Sequence, residues 1–181
     1  MTSMSKIDRR TQMLEAAIQI VNEQGTDSLT LDAVAKRAEV SKGGLLYHFK
    51  NKKALIQGLV DYASATYRNN VDTNVQDDDD TGKLLRGYIE ATRSHRDNNI
   101  AISSAVLAAQ GNDRSLLKPL QETYQEWQHF IEDDGLNPVD ATIIRLAIDG
   151  LWLTELFGLD AIDESRREEV LNQLSNYTNK N

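Results

Sequence analysis

Residues 30–55 read TLDAVAKRAEVSKGGLLYHFKNKKAL, and the rest of the chain is organised around them. The stretch predicts two short helices, a tight turn and the start of a third helix. Thr30 suits an N-cap, because its hydroxyl accepts from a free N–H of the first turn. Asp32 places negative charge where the helix dipole favours it. Leu31, Val34, Ala35 and Ala38 recur at helical spacing on one face. Glu39 and Val40 make the turn, and Ser41 caps the second helix. That helix, from Lys42 to Phe49, is too short to stand alone in water. It needs packing from Leu45, Leu46 and Phe49 against the first. Two helices joined in this way form a helix-turn-helix.

The second helix carries Lys42, Gly43, Gly44, Tyr47 and His48 on its outer side, with Lys50, Lys52 and Lys53 directly after it. Two adjacent glycines near a helix start cost roughly 1 kcal/mol each relative to alanine. They make sense where the backbone must approach another surface closely, such as a groove wall or a phosphate. A helix N-terminus with free N–H groups suits a phosphate oxygen. Taken singly, each feature also fits a solvated basic loop with glycine breakers. The ordered combination favours DNA.

The run VSKGGLLYHFKNKKAL resembles the DNA-binding signature of the TetR family of bacterial transcriptional regulators. Thr30, the region of Ala35, Val40–Ser41, Gly43, Leu45, His48–Phe49, Lys52 and Leu55 fall in register with it. The resemblance implies a homodimer with an N-terminal DNA-binding head and a helical body that binds an inducer. In it, Thr30 and Lys52 position the DNA backbone, and the helix opened by Lys52 joins head to body. Two positions depart from the pattern. Leu46 stands where the family has tyrosine, and Tyr47 offers the hydroxyl instead. Gly44 replaces a side chain that reaches a base, which shifts readout towards Lys42, Tyr47, His48 and DNA shape.

Charge is distributed to match. The 181 residues carry a net charge of −8, which is the wrong sign for a DNA binder as a whole. Through Lys53, however, there are 9 Lys+Arg against 6 Asp+Glu, a net of +3, and from Ala54 onward 11 against 22, a net of −11. A basic head on an acidic body fits local phosphate binding. The acidity also serves solubility. The division expected is a DNA-binding domain over residues 1–53 and a ligand-binding and dimerisation domain over 54–181. The cysteine count is zero, which removes disulfides, thiolate metal sites and cysteine nucleophiles and fits a reducing cytoplasm. MTSMSKIDRR lacks the apolar stretch of a signal peptide, and no run of about 18 apolar residues exists to span a membrane.

Outside the two short helices of the motif, the periodicity predicts seven more, for about nine in all. The first runs from Asp8 to Gln24 on Leu14, Ala17, Ile18 and Val21 and ends at Gly25. Lys6, Arg9 and Arg10 at its start oppose the dipole, which points either to an external anion or to a solvated basic tail. A long helix over 52–74 has Leu55, Leu59, Tyr62 and Thr66 on one face. Asp77, Asp78, Asp79 and Asp80 form a solvated break, and their spacing fails the calcium-loop pattern because the twelfth residue is Tyr88 or Ile89 rather than Glu. Helices follow over 81–96, 100–110 and 115–133, the last with Pro119 in its first turn. Asn137–Pro138 opens a helix to Phe157 that is apolar nearly all round and so needs cover on two sides. Asp163 caps the last, with Val170, Leu171 and Leu174 on one face. Pairing the last two helices with their copies gives a two-fold four-helix interface. Its candidate residues are Ile144, Ile148, Leu151, Leu171 and Leu174.

Candidate ligand contacts in the body are Tyr88, His95, Tyr124, Trp127, Trp152 and Glu155, each of which also reads as ordinary core or surface. An acidic, aromatic-lined pocket would suit a cation. Glu155, an acid in an apolar helix, must be paired, exposed or ligand-facing. No enzyme motif is present: His48, His95 and His129 share no metal-ligand spacing, and there is neither a phosphate loop nor a nucleophile elbow. A helix-turn-helix that serves only protein contacts is the third class, supported by Leu46 alone.

The reading is an all-α, cytoplasmic, non-enzymatic DNA-binding regulator without cofactor or metal. It would bind a palindromic operator as a homodimer through Thr30, Ser41, Lys42, Gly43, Gly44, Tyr47, His48 and Lys52, with repression the family's usual outcome, and be released by a small-molecule inducer.

Overall fold

Among the residues described by the computed structural model, 8–75, 80–94, 96–159 and 162–179, with backbone alone for 94 and 96–102, there are nine α-helices and no strand. They are α1 (Arg9–Gln24), α2 (Leu31–Arg37), α3 (Lys42–His48), α4 (Lys52–Val75), α5 (Lys83–Ser94), α6 (Arg96–Asn112), α7 (Lys118–Glu132), α8 (Pro138–Leu156) and α9 (Glu164–Thr178). Short 3-10 turns, Thr26–Ser28 and Arg114–Leu117, precede α2 and α7. Most ends follow local chemistry. Asn137 Oδ1 accepts from the N–H groups of Val139 and Asp140, with Pro138 next. Asp163 caps α9 by accepting from Arg166 N–H. Asp8 precedes α1 without a side-chain cap bond.

The chain forms two compact units: Met1–Ala63 with Ile100–Pro119, and Ser64–Asn99 with Leu120–Asn181. The first is therefore wider than residues 1–53, because its core extends through Leu55, Ile56 and Leu59 and takes in Ala105, Ala108, Ala109 and Leu116. Lys53 Nζ donates to Asp113 Oδ2 at 2.7 Å within this unit. That bond, then those from Ser115, hold the exposed Asp113 carboxyl down to about 2.

Inside the first unit, α1 buries Met13, Leu14, Ala17, Ile20 and Val21, with Ile18 at the margin. Val40 N–H donates to Ala35 O and closes the turn between α2 and α3. Glu39 sits there at φ 54, the left-handed conformation that lets the chain reverse. Gln12 Nε2 donates to Ala38 O at 3.0 Å, and Arg37 pairs with Glu23 at 2.8 Å, so both ends of α1 hold the C-terminal end of α2. Gly58 is required: a Cβ would stand 2.7 Å from Cε1 of the buried Phe49 ring.

The second unit is built on α5, α8 and α9. Leu85, Tyr88, Ile89 and Thr92 of α5 are all buried, as their spacing predicts. Arg167 of α9 is only 4% exposed. Its Nε donates to Glu155 Oε1 at 2.5 Å, and its Nη2 donates to Thr92 O at 3.0 Å, tying the three helices together. Such a charge is tolerable in a core only when paired and hydrogen-bonded.

Three readings need correction. Along α4 the buried face is Leu55, Ile56, Leu59, Val60, Ala63, Tyr67 and Val71, while Tyr62 and Thr66 are half-buried beside it. Leu46 is 37% exposed and does not join Leu45 and Phe49 in the core, because one turn of α3 cannot turn consecutive residues 45 and 46 to the same side. Ile144, Ile148, Leu151, Leu171 and Leu174 are buried within their own subunit and do not form an outward face. In α8 the outward apolar stripe is Val139, Ile143, Leu146, Leu153 and Phe157. A helix that is apolar all round carries no sequence mark saying which side is out. Lys6, His95 and Asp77 to Asp79 lie outside the described residues or side chains.

Candidate nucleic-acid interface and ligand cleft

In the first unit, α3 is two-faced. Leu45 and the flanking Phe49 are buried, while Tyr47 is 85% exposed. The His48 ring lies 5.2 Å from that of Tyr47, edge to face. Thr30 Oγ1 accepts from Ala33 N–H at 3.1 Å, and Ser41 Oγ accepts from Gly44 N–H at 3.0 Å. Both hydroxyls therefore serve as caps, as their positions predict. A Cβ on Gly43 would meet nothing within 4 Å, so no contact inside the protein requires glycine there. On Gly44 it would stand 3.2 Å from Ser41 Oγ. Lys42 Nζ pairs with Asp32 Oδ1 at 2.9 Å on the surface. Lys52, half-buried, opens α4.

A groove of about 450 Å³ separates the start of α1 from α3. Its lining includes Arg9, Gln12, Ser41, Gly44, Tyr47 and His48. A cation, an imidazole and a phenol share this groove with the carboxylate of Glu39 beside the N-terminus of α3. Arg10 is engaged differently: its guanidinium stacks over the Phe49 ring at 5.5 Å. The structure thus brings Ser41, Gly44, Tyr47 and His48 together and adds Arg9.

In the second unit, four aromatic rings cluster. Tyr67 lies 5.1 Å from Trp127 and 5.6 Å from Tyr88, and Tyr88 lies 5.7 Å from Trp127, with Tyr124 at 6.4 Å. Tyr88 Oη donates to Asp149 Oδ1 at 2.5 Å. Arg145 lies 3.9 Å from Asp149 and stacks over the Tyr124 ring at 5.5 Å. Burial raises the Asp149 carboxyl, opposed by the Tyr88 hydroxyl and Arg145. Burial also raises the phenols of Tyr67 and Tyr88 and pushes that of Tyr124 up to about 12, so all three present neutral rings.

A cleft of about 300 Å³ opens against this cluster. It is lined by Arg68, Val71 and Asp72 of α4, Leu84 and Tyr88 of α5, and Glu126, Trp127, Phe130 and Ile131 of α7. That volume lies at the small end of ligand pockets. Of the body residues singled out in the sequence, Tyr88 and Trp127 line it and Tyr124 stands behind Trp127. Trp152 does not line it; its enclosed Nε1 has no hydrogen-bond partner among the described residues. Glu155 does not line it either and is paired with Arg167, the alternative its place in an apolar helix left open. Sequence reasoning missed Tyr67, Asp72 and Asp149. Tyr67 follows Leu59 and Ala63 at four-residue steps, and Asp149 carries the same mark as Glu155, an acid in an apolar helix.

Among the described residues no helix is long and apolar enough to cross a membrane, and no cluster of acids and histidines is arranged to hold a metal ion.

Comparison with known proteins bears on both units. Residues 13–59 match the family described as bacterial regulatory proteins, tetR family. Residues 82–179 match the tetracyclin repressor-like C-terminal domain. The chain is 27% identical over 176 residues to the tetracycline repressor protein class C of Escherichia coli, covering 95% of this chain and 75% of that one. Among solved structures, a transcriptional regulator from Rhodococcus sp. Rha1 superposes with a TM-score of 0.75 at 16% identity, covering 93% of this chain and 95% of that one. The multidrug binding protein EbrR complexed with ethidium gives 0.63 at 26% identity, covering 93% and 99%.

Proposed function

The chain belongs to the TetR family of bacterial regulatory proteins, and we propose that it is a repressor that holds a palindromic operator as a homodimer and lets go when a small molecule occupies its body. The observation that carries this is the two-faced α3. One side is anchored by Leu45 and Phe49, and the other presents Tyr47 beside His48 with an open backbone at Gly43. Two such helices in a dimer would enter successive major grooves about 34–36 Å apart. Lys42, Tyr47 and His48 read bases or adjacent phosphates, Thr30, Ser41 and Lys52 set the backbone, and Gly43 and Gly44 let it approach closely.

The second copy packs on the outward stripe of α8. Val139, Ile143, Leu146, Leu153 and Phe157, with the exposed Gly150 between them, recur at i, i+4, i+7, i+11, i+14 and i+18. Exposed apolar groups in such a row mark an interface. The inducer takes the cleft beside Trp127 and Tyr88. EbrR, to which this chain is similar, is a multidrug binding protein seen with ethidium, which supports a body built for a ligand. To shift occupancy tenfold, the ligand must prefer the DNA-free form by about 1.4 kcal/mol.

The test is fluorescence anisotropy on DNA from upstream of the protein's own gene and its neighbours, titrated with salt. One fragment should bind far more tightly than scrambled DNA and weaken steeply as salt rises. His48→Ala and Tyr47→Ala should weaken that binding and leave the dimer intact. If genome-wide selection of bound fragments recovered no preferred site, the regulator reading would fail in favour of a protein-interaction module.

A further inference from the structure

We propose that the cleft between α4, α5 and α7 selects a planar organic monocation, with Asp72 as its counter-charge and Trp127 and Tyr88 as its aromatic wall. The inference rests on the reading of this cleft as the inducer site and adds the chemical class of the ligand.

Three charged side chains line the cleft: Arg68, Asp72 and Glu126. Arg68 Nη2 and Glu126 Oε2 are 2.5 Å apart, so the one cation of the lining among the described residues is already neutralised by a carboxylate. Asp72 has no ion-pair partner among the described residues, and it leaves the lining with a net charge of −1. An anion entering here would have to displace Glu126 from Arg68 and lie beside two carboxylates. A cation meets one free carboxylate and displaces nothing.

The walls select shape. Val71, Leu84, Phe130 and Ile131 are apolar, and Trp127 and Tyr88 contribute rings. Indole and phenol faces attract a cation through their quadrupoles, and indole does so best. The ring wall is fixed from behind: Tyr67 packs on both Trp127 and Tyr88, and the Tyr88 hydroxyl is committed to Asp149. With that hydroxyl engaged, Tyr88 offers the cleft a ring and not a free hydrogen-bonding group. A ligand that depends on several hydrogen bonds is therefore poorly matched. A flat ring system with delocalised positive charge fits both the wall and Asp72.

The experiment is isothermal titration calorimetry of the full-length protein, without DNA, with N-methylacridinium as probe. Neutral acridine at alkaline pH and 9-anthracenecarboxylate serve as shape-matched neutral and anionic controls. N-methylacridinium should bind at least tenfold more tightly than either. Asp72→Asn, a surface substitution, should weaken the cation about tenfold and leave acridine unchanged. Quenching of tryptophan fluorescence that persists in Trp152→Phe places the probe at the Trp127 wall. Equal or tighter binding of acridine or the carboxylate, or an Asp72→Asn protein that binds the cation as wild type does, overturns the proposal. Operator release is measured separately by adding the probe to the protein–DNA complex. Cation-selective binding that depends on Asp72 but leaves DNA bound supports the ligand class and overturns the inducer reading alone. Release by the neutral control without cation preference does the reverse.

Discussion

Tyr88 donates to Asp149 across 2.5 Å, and this one hydrogen bond joins the aromatic wall of the α4–α5–α7 cleft to α8, the helix whose far side is the outward apolar stripe. Asp149 is largely buried and its carboxyl is raised by that burial, with the Tyr88 hydroxyl and then Arg145 pulling the other way. A raised carboxyl means that the folded state keeps a proton the unfolded chain gives up. Ionising Asp149 therefore costs stability as pH rises through its folded value. Tyr88→Phe removes the donor and disfavours the charged form further. The variant should lose roughly 1–3 kcal/mol at neutral pH, the cost of an unsatisfied buried polar group. The deficit should shrink in acid, where Asp149 is protonated. Urea denaturation of both proteins at acidic and neutral pH reads this directly, and a deficit independent of pH would mean that Asp149 is not what Tyr88 supports.

Asp32 and Lys42 form a 2.9 Å pair on the face proposed to meet DNA. Exposed pairs of this kind contribute little to stability, about 0–1 kcal/mol. Here the carboxylate also competes with phosphate for Lys42. Asp32→Asn should therefore tighten DNA binding by roughly 0.5 kcal/mol and cost the fold about 0.3–1 kcal/mol at the α2 N-terminus. Anisotropy titrations at several salt concentrations check both the affinity and the slope. Weaker binding by the variant would show that Asp32 positions Lys42 for DNA.

Much of this was legible from local chemistry. Thr30, Ser41, Asn137–Pro138 and Asp163 begin helices because capping is decided by a few adjacent atoms. The two-faced α5 was legible because Leu85, Tyr88, Ile89 and Thr92 contrast with polar neighbours. Where that contrast fades, periodicity loses its meaning. α8 is apolar nearly all round, so Ile144 and Ile148 could not be told from Ile143 and Leu146, although the first pair is core and the second is surface. The aromatic cleft depends on residues from three helices far apart in sequence. Asp72 and Trp127 meet there only through tertiary packing, and no spacing rule joins them.

Glu155 and Arg167 provide the sharpest stability test. Arg167 is fully enclosed and donates to Glu155, with Glu168 at 3.4 Å and Glu164 at 3.8 Å as more distant carboxylates. Glu155→Ala strands a buried guanidinium, a change that generally costs 3–5 kcal/mol. The remaining acids place the expectation near about 3 kcal/mol. Adding Arg167→Met in the same chain should recover a large part of that loss, because a pair removed together leaves no uncompensated charge. Chemical denaturation of the single and double variants is the check, and additive losses would show that the pair is not coupled.

The outward stripe of α8 leads to the last prediction. Ile143 is 58% exposed and Leu146 is 54% exposed, so neither contributes much to the core of its own subunit. A charge at either position costs the isolated subunit little, within about 0.5 kcal/mol for a surface site. In an interface of two identical copies, each substitution occurs twice around the symmetry axis and buries two like charges without partners. Leu146→Glu should therefore give a folded monomer with unchanged helical circular dichroism. Sedimentation velocity should show the loss of the dimer. Operator affinity should fall steeply, because one head reaches only one half-site. The buried neighbour Ile148 is the control: Ile148→Ala should destabilise the fold by roughly 2–5 kcal/mol and leave association intact wherever the protein remains folded. If Leu146→Glu stayed dimeric, the second copy would have to sit on another surface, and the stripe would need a different partner.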